Sequence, residues 1–245
     1  MNYFLWDASH NGLCHVVTVR GNERIEMDRD LSEYDIFVRN NASIKMINRI
    51  CGISNETLES VVSTRNVFGI PTDEKGSEEQ TSEKDLRLVC SQNSNQLTMR
   101  FVNPEKVEKN HDCINKWKVV IGRCVPRGGE KGVDPKVGYR VTTTVHIFAP
   151  DVVFTDTYLM LSSFDEREHA INFAKYITCK LPRFLLHETY SSMNITKSNF
   201  RFVPYLDYSR EWTDEELYAR YECSQEEIDL IDSMIRPLEY VVHDK

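Results

Sequence analysis

Trp117–Val125 reads WKVVIGRCV and Asp151–Leu161 reads DVVFTDTYLML. With LRLVC (86–90), LTMRFV (97–102) and YRVTTTVHIF (139–148), these runs decide the fold class. All five are rich in β-branched and aromatic residues, which suit a pleated surface, and turn residues separate them. Downstream the period changes. Asp165 opens a predicted helix, with Glu168 placed for a capping box and Ala170, Ile171, Ala174 and Ile177 on one stripe. Pro182 must kink or end that helix, because it lacks an N–H and crowds the preceding turn. Farther on, Thr213 with Glu216 and Ser224 with Glu227 have capping-box spacing, each beside a hydrophobic staple pair (Trp212 with Leu217, Cys223 with Ile228). Two short helices meeting near Glu222 are expected. A block of strands followed by helices, without βα alternation, is the pattern of an α+β fold. The expectation is a mixed, mainly antiparallel sheet with flanking helices and a short helical C-terminal tail.

The N-terminal part is expected to open with β structure. NYFLWD and CHVVTVRG flank ASHNGL, whose Asn11-Gly12 is a hairpin turn signal, and YDIFVR alternates as a half-buried strand does. Ser43 could cap a helix through IKMINRI that stops at Gly52, and NETLESVV groups Leu58, Val61 and Val62 as a second short helix. STRNVFGIPTDEKG (63–76) reads as a long loop, and GSEEQTSEKD (76–85) as a polar surface insertion.

Composition bounds the function. The chain has 245 residues and a net charge of −8, with no apolar run approaching the roughly 18 residues of a membrane helix. MNYFLWDASH lacks a signal peptide's basic flank and apolar core, so a bacterial-type cytoplasmic protein is expected. The seven cysteines are scattered and never spaced C-x-x-C; they read as reduced, buried small hydrophobes, and no metal is assigned. Charge is unevenly distributed. Residues 86–150 hold 11 basic and 5 acidic side chains, residues 174–203 hold 5 and 1, and residues 204–245 hold 4 and 12. Screening confines such fields to about 8–10 Å, so a basic region can face phosphates on an acidic protein. The same charges would also suit ordinary solvated faces.

The string from residue 155 to 239 closely resembles the C-terminal end of adenine-specific DNA methyltransferases of type II restriction–modification systems. The resemblance rests on TDTYL (155–159), the Phe164-Asp165 helix start, RFL (183–185), FRFVPYLDYS (200–209) and WTDEELY (212–218), in this order. YFLWD followed by NGLC is similar to a passage at the junction between that family's methylase core and recognition region, and STRNVFG (63–69) to a loop motif of the family at the matching place. Similarity is weakest over 77–150, where specificity would reside. The family implies an enzyme that uses S-adenosylmethionine, flips an adenine out of the duplex and selects its site through this region. Three segments are expected: residues 1–40 as a β junction that would adjoin a methylase core, 41–203 as the DNA target-recognition domain, and 204–245 as an acidic helical tail packing on it. Met1 falls where a recognition fragment would be cut out or a split gene would begin.

The chemistry of methyl transfer is missing. An adenine methyltransferase needs a glycine-rich turn for the cofactor and an (N/D)-P-P-(Y/F) loop whose polar atoms hold the base's amino group. This chain has no Pro-Pro, and its only doubled glycine, Gly128-Gly129, lies in the basic loop PRGGEKGVDPKVG. Nor does Pro150-Asp151 lead to a strand with Glu-x-Lys, the second half of a nuclease pattern; Asp73-Glu74-Lys75 and Asp134-Pro135-Lys136 lack converging carboxylates. The expected chain alone is no enzyme and holds no cofactor. Its expected partners are double-stranded DNA and a methyltransferase domain or subunit, with no membrane.

Eight basic residues are candidate DNA contacts. Arg65 matches an arginine of the family's loop motif and reads as a phosphate or guanine contact, or equally as an intradomain ion pair. Lys118, Arg123, Arg127 and Lys131 lie on a strand end and the basic loop after it. Arg183 opens the RFLL segment and matches a family arginine, as contact or as structural pairing, while Lys197 and Arg201 flank the polar run SSMNITKSN. Tyr158 and Tyr205 read as core or wedge residues. The alternatives are a specificity subunit that binds a separate methylase and touches DNA only in that complex, or a truncated, inactive remnant.

Overall fold

The computed structural model describes residues 3–92, 96–126 and 138–244. It is an α+β fold whose strands form three sheets. Nine strands run as β1 (Cys14–Arg20), β2 (Glu23–Arg29), β3 (Leu86–Gln92), β4 (Gln96–Val102), β5 (Trp117–Gly122), β6 (Val145–Phe148), β7 (Val152–Phe154), β8 (Tyr158–Phe164) and β9 (Tyr240–His243). The described α-helices are α1 (Ile44–Ile53), α2 (Arg167–Thr178), α3 (Lys180–Glu188), α4 (Asp214–Arg220) and α5 (Gln225–Met234).

The central sheet, in the order β8-β5-β6-β9, is buried on both faces, and the two-residue period of its strands sorts the side chains. Val119 and Ile121 of β5, Val145 and Ile147 of β6, and Leu159 and Leu161 of β8 enter the larger core, beneath α2 and with α1, α3, α4 and α5. The alternate residues Val120, Phe148, Tyr158 and Met160 enter a second core, shared with the β4-β3-β7 sheet. WKVVIG is apolar on both parities because both faces are covered. β5 pairs antiparallel with β6 and β8, with a bulge at Val119/Val120, whereas β6 pairs parallel with β9.

Several boundaries differ from the sequence reading. The hairpin closes at Gly21-Asn22, with Gly21 at φ +59, and not at Asn11-Gly12. Residues 3–7 and YDIFVR form no strand, and Asn2 lies outside the described residues. α1 runs through Gly52 to Ile53, and a 3-10 turn capped by Asn40 leads into it. The second short helix is a single 3-10 turn, Leu58–Ser60, with Val61 exposed. YRVTTTVHIF contributes only β6, and DVVFTDTYLML is split by a turn into β7 and β8. α2 begins at Arg167 after Glu166 with no side-chain cap bond, while Asp165 pairs with Lys116. The tail is helical as read, with both capping boxes formed, but it ends in β9.

Candidate nucleic-acid interface

Arg65, Asn66, Arg123 and Asp156 converge from three distant segments. The loop carrying Arg65 is held by its own backbone: Ser63 N–H donates to Met160 O (2.9 Å), Asp156 N–H to Ile70 O (3.0 Å) and Glu108 N–H to Phe68 O (2.9 Å). Phe68 is fully buried, edge-on to Phe154 with ring centroids 4.9 Å apart. Asn66 sits at φ +55, and its N–H donates to Asp156 Oδ1 at 2.7 Å. On the other side, Arg123 N–H donates to Thr157 O (3.0 Å) just past the end of β5.

The Asp156 carboxylate joins the two guanidiniums. Its Oδ2 accepts from Arg65 Nη2 at 2.7 Å and from Arg123 Nη1 at 2.8 Å. The Asp156 side chain is only 9% exposed, Arg123 is 19% and Arg65 is 69%. Burial pushes the carboxyl pKa up, but hydrogen bonds from Arg65 and the Asn66 amide, with the Arg123 charge, hold it below its ordinary value. The cluster therefore carries one surplus positive charge. Arg65 presents its donors to solvent from a fixed anchor, and a pre-set guanidinium can engage a phosphate or a base edge as a fork.

The polar run 191–199 lies against the same place. Ile195 N–H donates to Arg123 O (2.7 Å), Val125 N–H to Met193 O (2.8 Å), and Cys124 bridges to Asn194. Lys197 follows, half-buried at the start of a 3-10 turn boxed by Thr196 and Asn199. Arg123 and the 191–199 run, read separately from the sequence, are thus neighbours. Arg127 and Lys131 lie outside the described residues.

Two expected contacts are corrected by burial. Lys118 is fully buried, its ammonium donating to the carbonyls of Cys113 (3.3 Å) and Ile114 (2.7 Å). Arg183 is 1% exposed and donates to the carbonyls of Thr178, Cys179, Arg140 and Arg236. Neither has surface to offer a duplex; both staple the interior. Arg201 is spent on Asp35 (3.3 Å) and Glu59 (3.5 Å). Tyr158 is a core residue, as one of its readings held, and Tyr205 packs against the core half-buried.

Sequence reasoning missed Asp156, the organising residue. Its signal was present: a lone carboxylate in the polar break TDT, between two apolar strand runs. Among the described residues, no group of three His, Cys, Asp or Glu side chains could hold a metal ion, and no helix is long and apolar enough to cross a membrane. Compared with protein-family models, curated proteins and solved structures, the chain has no significant match.

Proposed function

We propose that this chain recognises a DNA sequence as the target-recognition part of an N6-adenine DNA methyltransferase of a restriction–modification system, acting in the cytoplasm. The carrying observation is the convergence of Arg65 and Arg123 on the nearly buried Asp156, beside the 191–199 run. A surface arginine tethered through one nitrogen loses less freedom when it binds, so more of its hydrogen-bond energy appears as affinity and orientation. S-adenosylmethionine and base flipping belong to the catalytic domain that this reading assigns as partner.

The test is fluorescence-anisotropy binding to a randomised duplex pool at two salt concentrations, with sequencing of the bound fraction. Binding that weakens steeply with salt and enriches a short motif is the expected result. Arg65→Ala should weaken it by about 1–3 kcal/mol, the usual worth of a bidentate base contact, while Arg201→Ala leaves affinity unchanged. No binding at low salt would sink autonomous recognition.

One observation favours the partner-dependent reading as a second. Among the described residues, 10 of the 14 exposed large hydrophobic side chains lie between Tyr3 and Phe37, including the run Tyr3, Phe4, Leu5 and Trp6. Exposed apolar side chains concentrated in one segment suit an interaction site better than scattered ones do. A methylase domain seated there predicts that Leu5→Ser with Trp6→Ser abolishes complex formation on a gel-filtration column.

A further inference from the structure

Phe164 at the end of β8 and the 205–212 segment line an open cleft of about 580 Å³, within the usual range for small-molecule sites. Its walls include Phe164, Tyr205, Tyr208 and Trp212, and its rim carries Asp207 and Arg220. The aromatic wall is rigid. Tyr208 is buried, edge-on to Tyr205 (centroids 5.4 Å apart) and to Phe164 (6.1 Å), and Trp212 Nε1–H donates to Asp207 O at 2.8 Å.

Asp207 is fixed but not saturated, with the charges of His169 and Arg210 near it, and Arg220 is held by aromatic faces. Asp207 closes a turn by accepting from Ser209 N (2.9 Å) and Ser209 Oγ (2.8 Å). A carboxylate has about four lone-pair sites, so two remain for a ligand. Hydrogen bonds from Ser209 hold its pKa below the ordinary value, so it is an acceptor at neutral pH. Arg210 covers Trp212 at 3.9 Å and is bound to Glu216 at 3.0 Å. Arg220 differs. It rests over Trp212 and Tyr221, 5.5 and 5.8 Å from their centroids, and forms no ion pair among the described residues.

A planar ring, a pair of adjacent N–H donors and an anion would use all three features together. We propose that this cleft binds a guanine nucleotide: the base lies against the Tyr205 wall, its N1–H and N2–H donate to Asp207, and the phosphate faces Arg220. Adenine offers no such paired donors, since its N1 is an acceptor and would meet the carboxylate's own lone pairs. Binding here is independent of the DNA reading, because none of these residues belongs to the Arg65–Asp156 cluster.

The experiment is calorimetric titration of the intact chain with GMP, AMP and guanosine. Asp207→Asn, which keeps an acceptor for the Ser209 turn, and Arg220→Gln are run alongside, with near-ultraviolet circular dichroism to establish that each is folded. GMP should saturate and outcompete AMP by about tenfold or more, as expected where a paired hydrogen-bond edge is read. Asp207→Asn should erase that preference, and Arg220→Gln should bring GMP down to the affinity of guanosine. No saturation of the folded protein by GMP at about 5 mM, a free energy too small for a built site, would overturn the proposal. So would equal binding of GMP and AMP that Asp207→Asn leaves unchanged.

Discussion

Lys118 shows how burial redirects a charged residue. Desolvation pulls its ammonium from 10.5 down to about 7, only partly offset by the Asp151 charge. Between those values the unfolded chain binds the proton more tightly than the folded one, so this group's own contribution to stability climbs as pH rises from about 7 towards 10, while thiols that burial pushes up, Cys179 among them, contribute the opposite slope near the top of that range. The span corresponds to a gain of about 3–5 kcal/mol. Urea denaturation across that range should show stability rising more steeply with pH in the natural protein than in Lys118→Met. An unchanged slope would mean that another group carries it. Lys118 also shows what one strand's sequence conceals: it shares parity with Val120, but only the second sheet, built from β3, β4 and the later β7, makes that face an interior. Arg183 was no more legible. KLPRFLLHE is buried from Leu181 to Glu188 although four of its nine residues are ionisable, and an arginine inside such a helix must spend its donors on backbone carbonyls. Asp156 could be read as a polar break, but its two arginines could not, because they lie 91 and 33 positions away.

Among the elements, the two tail helices were the most legible, because their caps are local. Thr213 accepts from Glu216 N–H while Glu216 reaches back to Thr213 N–H, and Ser224 and Glu227 repeat the arrangement. Replacing Thr213 or Ser224 by alanine should each cost about 1 kcal/mol, read as a lowered thermal midpoint. The Ser224 change should also loosen the grip of Glu227 on Arg49 of α1. The break between α2 and α3 is the contrasting case. Pro182 occupies the third position of α3, where its missing N–H is no loss, so it begins a helix as readily as it ends one. The amides of Lys180 and Leu181 are capped by Asp214, 33 or 34 positions later, at 2.7 and 3.2 Å. A cap borrowed across such a distance leaves no local sequence pattern. The hairpin was misplaced for a similar reason. Asn41 binds the carbonyls of Val16 and Ile25, pinning both strands from outside, so Gly21-Asn22 closes the turn where Asn11-Gly12 gave the stronger local signal.

Across the whole molecule, the strand-rich block and the α+β class were readable, while the division into two cores was not. That division depends on β3 meeting β7 and β6 meeting β9, both parallel pairings between segments far apart in the chain. The acidic tail likewise contributes Leu217, Tyr221, Ile231 and Ile235 to the main core and supplies the sheet's last strand. Removing residues 240–244 should therefore cost about 1–2 kcal/mol, from lost ladder bonds and cross-strand packing. Hydrogen exchange should register faster amide exchange concentrated in β6; protection that stays unchanged would place little weight on β9.

The parallel pairing of β6 with β9 also imposes a schedule on synthesis. β6 leaves the ribosome about 90 residues before its neighbour exists, a wait of roughly 5–20 s at ordinary elongation rates. For that interval Val145–Phe148 is an open, apolar edge, able to pair with any strand of a neighbouring nascent chain. Slowing translation downstream of residue 148 should lengthen that exposure and lower the soluble yield without changing a single amino acid.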